Sequence, residues 1–187
     1  MLSVIIATAE SERSLVATLA ALVPGATAGL VAEVIVSDPG TRGAIAEVAD
    51  VAGCRLIVSQ DPLGARLAAA AASVRTPWLM FLRAGTVPEP GWVEATEHFI
   101  SLGGGERAAV FRPPGDEPAQ PGLGEVIAAL RRMFGARTSP EHGLLISKRH
   151  YETLGGHEAN GDAEAALLRA LRRRISLLPV RVGRYLT

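Results

Sequence analysis

Apolar positions along the first half of this chain fall into short continuous runs separated by stretches of helical spacing. Val4, Ile5 and Ile6 form the first run and read as a strand. From Glu10 to Val23, Leu15, Leu19 and Leu22 recur at helical spacing, and Pro24-Gly25 is the expected stop. Residues 33–37 read as a second strand, 44–52 as a short helix ended by Gly53, and 55–58 as a third strand. Residues 63–74 form an Ala-rich helical pattern closed by Thr76-Pro77. Residues 78–82 are apolar and bounded by Pro77 and Pro88, so they read as a buried strand. Strands alternating with helices predict an α/β fold with a mostly parallel central sheet and helices on both faces.

The second half is less regular. Residues 91–100 have helical spacing and Gly103 to Gly105 breaks it. Strands are expected at 108–111, 143–147 and 176–182, and helices at 123–134, 150–154 and 162–173, with Asp162 as an N-cap. Four prolines between Pro113 and Gly122 read as a loop. No internal repeat or linker divides the chain, so a single domain is expected over residues 1–187.

Composition narrows the function. The 187 residues suffice for one substantial core, and 48% hydrophobic content fits a globular chain. The net charge of +0, from 19 basic and 19 acidic residues, argues against a nucleic-acid partner, which requires a basic surplus. Cys54 is the single cysteine, so no intrachain disulfide or cysteine-based zinc site is possible; it reads as a small packed hydrophobe. No run reaches the roughly 20 apolar residues of a membrane span. Met1 leads directly into an apolar strand pattern rather than a signal peptide. A cytoplasmic protein is expected, with association at a membrane surface left open.

The candidate chemistry lies at strand ends, because ligands of open α/β sheets bind beyond the carboxyl ends of the strands. The fourth strand ends on Arg83-Ala84-Gly85-Thr86, which carries no acid. The second ends on Ser37-Asp38-Pro39-Gly40-Thr41, where Asp38 is either a turn residue or a hydrogen-bond acceptor for a ribose or base. No Gly-x-Gly-x-x-Gly follows the first strand, and no phosphate-binding P-loop is present. His98, His142, His150 and His157 read as surface or loop residues rather than metal ligands. Arg131-Arg132 and Arg172 to Arg174 suit solvated helix ends. Asp162 and Glu164 either favour the start of their helix or supply a base aimed into a cleft.

In order and spacing these pieces resemble the family-2 glycosyltransferases with the GT-A fold, over nearly the whole chain. Residues 2–8 are similar to the family's opening strand, with Ala7 where Pro is usual. Residues 33–41 resemble the strand whose terminal Asp holds the nucleotide, and 64–72 the helix after the third strand. Residues 77–86 fall on the strand with the Asp-x-Asp type metal motif, and 87–92 on the Pro-Gly-Trp turn after it. Residues 141–149, 151–156 and 162–171 resemble the acceptor-side strand, the Leu-Gly-Gly turn and the Glu-Asp helix. The likeness to short bacterial members with a His-Ala-Asp-Thr strand end is greatest.

The resemblance implies a nucleotide-binding half over 1–86 and an acceptor-side half over 87–187. It implies nucleotide contacts at Thr8, Glu12, Asp38, Gly64, Arg66, Arg83 and Gly85, and acceptor-side contacts at Trp92, Glu141 and His142. Glu164 is the implied base, with Asp162 as the alternative. The implied donor is a UDP- or GDP-sugar, and the family's cofactor is Mn or Mg. The departures fall on functional positions: Arg83 and Gly85 occupy the metal motif, Gly43 and Glu10 replace a second Asp and an Asn, and Ala163-Glu164 replaces Glu-Asp. No metal ligand is therefore expected in this chain. Two readings follow: a metal-independent transferase with Arg83 partly replacing the ion and weak turnover, or an inactive homologue that binds a nucleotide or a protein. An unrelated nucleotidyltransferase-like or Rossmann domain is the third, and the strand order separates it from the other two.

Overall fold

The computed structural model describes residues 1–8, 11–40, 44–103, 105–114, 139–171 and 174–185. Glu10, Thr41, Gly43, Arg131, Arg132, Arg172, Arg173, most of the Pro-rich loop and the helix expected at 123–134 lie outside the described residues.

The strands are β1 (Leu2–Ala7), β2 (Val31–Asp38), β3 (Arg55–Val58), β4 (Trp78–Arg83), β5 (Thr86–Pro88), β6 (Ala108–Arg112), β7 (Leu144–Ser147) and β8 (Ile175–Arg184). The helices are α1 (Glu12–Thr27), α2 (Ile45–Val51), α3 (Leu63–Ser73), α4 (Trp92–Ser101), α5 (Lys148–Thr153) and α6 (Ala163–Leu171), and a 3₁₀ turn spans Pro140–His142. The strands form one curled sheet in the order β3-β2-β1-β4-β7-β6-β8-β5. The left half, β3 to β4, is parallel; β7 runs antiparallel to both β4 and β6, and β8 runs parallel to β6. This is a single-domain α/β architecture with a mostly parallel sheet and helices on both faces.

Alternation along the strands divides the core between two faces. Val4, Ile6, Val36, Met80 and Leu82 face α1, α2 and α4, where Leu15, Ile45 and Trp92 pack. Ile5, Ala7, Ile35, Leu79 and Phe81 face α3, α5 and α6, where Leu67, Tyr151 and Leu167 pack. The central parallel strands are buried on both faces, which explains their unbroken apolar runs.

Three elements differ from the expectation. First, α1 does not stop at Pro24 but runs through it to Thr27, and Gly29 with a φ of 73° ends the turn. A proline so near the end forfeits little of the helical ladder. Gly25 serves packing instead, since a Cβ there would lie 2.4 Å from the Trp92 ring. Second, β5 pairs with the end of β8, which extends to Arg184 rather than stopping at Val182. A three-residue strand has no period long enough to read from sequence. Third, Trp92 is 2% exposed, and its indole nitrogen donates to the Ala21 carbonyl of α1 at 3.0 Å. It pins α4 to α1 and is not an acceptor-side residue.

Gly64 opens α3 beneath the segment before α6. A Cβ there would sit 1.8 Å from the Glu158 carbonyl oxygen and 2.6 Å from the Ala163 Cβ. A helical glycine ordinarily gains about 1 kcal/mol on replacement by alanine. Here the sign reverses: Gly64→Ala is expected to destabilise by about 1–3 kcal/mol, read as a lower midpoint in urea at unchanged slope.

Candidate functional site

Register sets the site. Ala7 pairs with Ser37 on one side and Arg83 on the other, so β1, β2 and β4 end level with one another. β6 and β8 run in the same direction as β4, and the 3₁₀ turn leads into the antiparallel β7 between β4 and β6. Asp38, Arg83, Glu141 and His142 therefore share one edge of the sheet, and α6 brings Glu164 to it.

Asp38 is 3% exposed. Its Oδ1 accepts from the Thr8 hydroxyl at 2.6 Å and its Oδ2 from the Gly40 N–H at 2.9 Å. The second bond is the Asx-type turn bond that Asp-Pro-Gly favours, so Asp38 shapes its turn while its carboxylate stays at the sheet edge. Arg66 reaches this corner from α3. It is 6% exposed, its Nη1 donates to the Ser37 carbonyl at 3.0 Å and hydroxyl at 3.2 Å, and its Nε has no partner. Burial pulls the Arg66 pKa down against the charge of Asp38, which raises it. Glu12 is exposed and accepts from the Ala44 N–H at 3.2 Å, tying the start of α1 to that of α2.

The central contact joins Arg83 to Glu164. The Arg83 Nε donates to both carboxylate oxygens, at 3.3 and 3.0 Å, and its Nη2 donates to Oε2. Glu164 is nine-tenths buried, whereas 41% of the Arg83 side chain is exposed. The hydrogen bonds to Glu164 raise the Arg83 pKa; burial opposes them, and the charges of Glu164, Glu141 and Asp162 add to them. Arg83 is thus a fixed cation with one exposed side.

Other expected residues take structural positions. Gly85 is buried with a φ of 94°, and its N–H donates to the Ser14 carbonyl at 3.0 Å and the Thr18 hydroxyl at 2.9 Å. Its carbonyl accepts from Tyr185, so α1 and the end of β8 enclose it and it presents no group to a ligand. The space beside Gly64 is filled by the chain itself. Asp162 caps α6 by accepting from the Ala165 N–H at 3.3 Å. Glu141 pairs with Arg184 at 2.7 Å. His142 accepts from the Ser139 N–H through Nδ1, and burial lowers its pKa against the charge of Glu141.

His150, on α5, departs from the surface-or-loop expectation, whereas His157 does lie in a loop but is buried there. His150 is 4% exposed and His157 is 5% exposed. The Tyr151 hydroxyl accepts from the His157 backbone N–H at 3.1 Å and bonds the His157 Nδ1 at 3.0 Å, while the imidazole meets Phe81 edge-on at 4.7 Å. Gly155 and Gly156, with φ of 85° and 69°, turn the chain back over Tyr151. A Gly-Gly pair flanked by Tyr and His is the signal that points to such a fold-back. The loop so anchored leads to Glu158, against Gly64, and on to the start of α6.

Among the described residues no group of three His, Cys, Asp or Glu side chains is placed to hold a metal ion. No helix among them is long and apolar enough to cross a membrane. An apolar groove of about 640 Å³ lies between α1 and α2, lined by residues such as Leu19, Val48 and Cys54. Its only charged lining residue among the described residues is Glu47, so this groove and the polar cluster at the sheet edge are different places.

No family model matches the chain, and no curated protein matches it. Solved structures do. The chain is similar to glucosyl-3-phosphoglycerate synthase from Mycobacterium tuberculosis in complex with Mn2+, UDP and glucosyl-3-phosphoglycerate, at 19% identity and a TM-score of 0.73, covering 100% of this chain and 72% of that one. The same enzyme with Mn2+ and UDP-glucose gives 20% identity and a TM-score of 0.71, with coverage of 100% and 72%. A structure described only as a mycobacterial protein gives 20% identity and a TM-score of 0.70, covering 100% of this chain and 68% of that one. At these identities the likeness is one of fold.

The His157 pKa falls to about 4 through burial. The unfolded chain, with an ordinary histidine near 6.5, therefore binds more protons between these values. The stability contributed by the neutral ring is complete above about pH 6.5 and is lost as pH falls towards 4. Between pH 7 and 5 this amounts to about 2 kcal/mol. Urea titrations at the two pH values are expected to show that loss, and His157→Gln is expected to shrink it.

Proposed function

We propose that the chain is a nucleotide-sugar-dependent glycosyltransferase that works without a metal ion. The observation that carries this reading is the level ending of β1, β2 and β4, which puts Asp38 and Arg83 at the ends of the strands flanking β1, with Arg66 bonded to Ser37 and Glu164 to Arg83. The similar solved structures, in complexes with UDP and UDP-glucose, favour a UDP-type donor.

Asp38, held by Thr8 and Gly40, offers carboxylate oxygen to the nucleoside. Arg83 takes the diphosphate, for which a guanidinium fork is geometrically suited. Glu164 accepts the proton of the acceptor hydroxyl. In the structure the last two groups are bonded to each other. A diphosphate that draws the exposed side of Arg83 towards itself loosens this pair, so donor binding and release of the base are one event. Residues 1–86 serve the nucleotide and 87–187 the acceptor, with Glu141 and His142 at the acceptor end.

The residues present do not fit a divalent ion. Hard cations need several oxygen ligands. Of the two motif positions, one is a cation and the other is an enclosed glycine, and the nearest carboxylate already serves an arginine. One guanidinium supplies less charge than a divalent ion, so slow turnover is expected. The pairing of Arg83 with Glu164 also favours a second reading, a nucleotide-binding module without turnover.

Calorimetry with UDP and GDP, followed by hydrolysis and transfer assays over a donor panel, separates the two. UDP is expected to bind, and turnover to persist unchanged in excess chelator. Arg83→Ala is expected to lower kcat/KM by about 10²-fold, the scale of a lost oxyanion donor. Glu164→Gln is expected to lower kcat by about 10²- to 10⁴-fold while nucleotide binding survives. Binding without turnover selects the module. Absence of binding by either nucleotide removes both readings, and an Arg83→Ala affinity equal to the parent's removes the phosphate role.

A further inference from the structure

The registers of β4, β7 and β6 place a second arginine level with Arg83. Met80 pairs with Leu145, and Leu145 pairs with Ala109. Three residues further along the two outer strands lie Arg83 and Arg112. Continued past the last paired residues, Phe81 and Ala109, the same register sets them two strand spacings apart, about 10 Å. Phe81 and Val110 belong to the core under α3, α5 and α6, so alternation puts Arg83 and Arg112 on that same face. The 3₁₀ turn that ends on His142 enters β7 between them and contacts β6. Arg112 pairs across β6 and β8 with Arg181. A basic row thus runs along the acceptor half of the edge.

The row is not uniform. Arg83 has Glu164, Arg181 has Glu89 at 3.1 Å, and Arg184 has Glu141 at 2.7 Å. Arg112 has no hydrogen-bond or ion-pair partner among the described residues. The residue is half-buried, and its Nε is excluded from solvent with nothing to donate to. A charged donor left in that state costs more than a neutral one. Such orphaned groups in folded proteins call for an explanation, and a ligand oxygen accepting from Nε would supply one. The 3₁₀ turn that contacts β6 carries His142, whose Nδ1 accepts from Ser139, which puts the proton of the neutral ring on Nε2 as a second donor.

We propose that Arg112, assisted by His142, is the anion-recognition point of the acceptor site, and that the acceptor carries a phosphate or carboxylate. A guanidinium binds either anion through two parallel N–H bonds. An acceptor whose anion lies a few bonds from its hydroxyl then spans from Arg112 to the Arg83–Glu164 pair. The term acceptor rests on the glycosyltransferase reading; the anion site itself does not.

The test is calorimetric titration of the full chain with inorganic phosphate and, separately, with succinate, at constant ionic strength set by chloride, with UDP titrated in parallel. At least one of the two anions is expected to bind and to raise the melting temperature. The phosphate and succinate arms tell which chemistry the site takes. Arg112→Gln is expected to weaken that binding at least tenfold and to abolish the thermal shift, with UDP affinity within twofold of the parent. Arg112→Lys, which keeps the charge but loses the fork, is expected to fall between and serves if the Gln variant does not fold. The proposal is overturned if neither anion binds the parent chain. Equal affinity in the parent and both Arg112 variants overturns it as well, as does loss of anion binding in Arg83→Gln alone. If an Arg112-dependent anion binds but UDP does not, the donor reading falls and the anion site stands.

Discussion

The ion pair between Arg83 and Glu164 is the contact on which the arrangement of this edge depends. It joins residues 81 positions apart, the last residue of a central parallel strand and the first turn of α6. Glu164 is nearly out of solvent, and a buried carboxylate stripped of its partner costs several kcal/mol. Arg83 is 41% exposed, so water returns if the arginine is lost and the cost falls well below that of a fully buried pair. The contact is therefore firm enough to orient α6 and open enough to be contested by an anion.

The surroundings of the pair are built from backbone rather than from further charge. Gly64 lets the Glu158 carbonyl approach α3, and the Tyr151–His157 contact folds the intervening loop onto Phe81. These fix the entry to α6 without consuming the carboxylates at the edge. The two faces of the sheet divide the labour. Asp38 and Thr8 alternate onto the side of α1 and α2, whereas Arg66, Arg83 and Glu164 lie on the side of α3 and α6. A ligand at this edge meets hydroxyl and carboxylate from one layer and guanidinium from the other.

Most of the left half of the sheet was legible because strands buried on both faces leave long apolar runs, as in β1 and β4, and the intervening helices have clear periods. Asp38 and Arg83 were legible as edge residues for the same reason: each ends such a run. What escaped is set by tertiary contact. Pro24-Gly25 carries the local chemistry of a stop, yet Trp92 needs the space that Gly25 leaves. Trp92 itself sits in a turn-like stretch, and only its bond to Ala21 shows that it is core. His157 has no apolar neighbours in sequence that announce its burial. Arg112 ends a short strand next to three uncharged residues, and only the register across β7 shows that it is level with Arg83. The partnering of Glu164 by Arg83 was likewise invisible, since nothing local links residues so far apart.

Gly85 has a consequence for anyone reshaping this site. A side chain placed there starts from a left-handed backbone with a φ of 94°, and its Cβ lies 3.2 Å from the Tyr185 carbonyl. Introducing a carboxylate means first moving the end of β8 or re-forming the turn after β4. The present electrostatics are thus written into the main chain as well as the side chains. A designer seeking a carboxylate at this position has to rebuild a backbone corner, and a single codon change does not reach it.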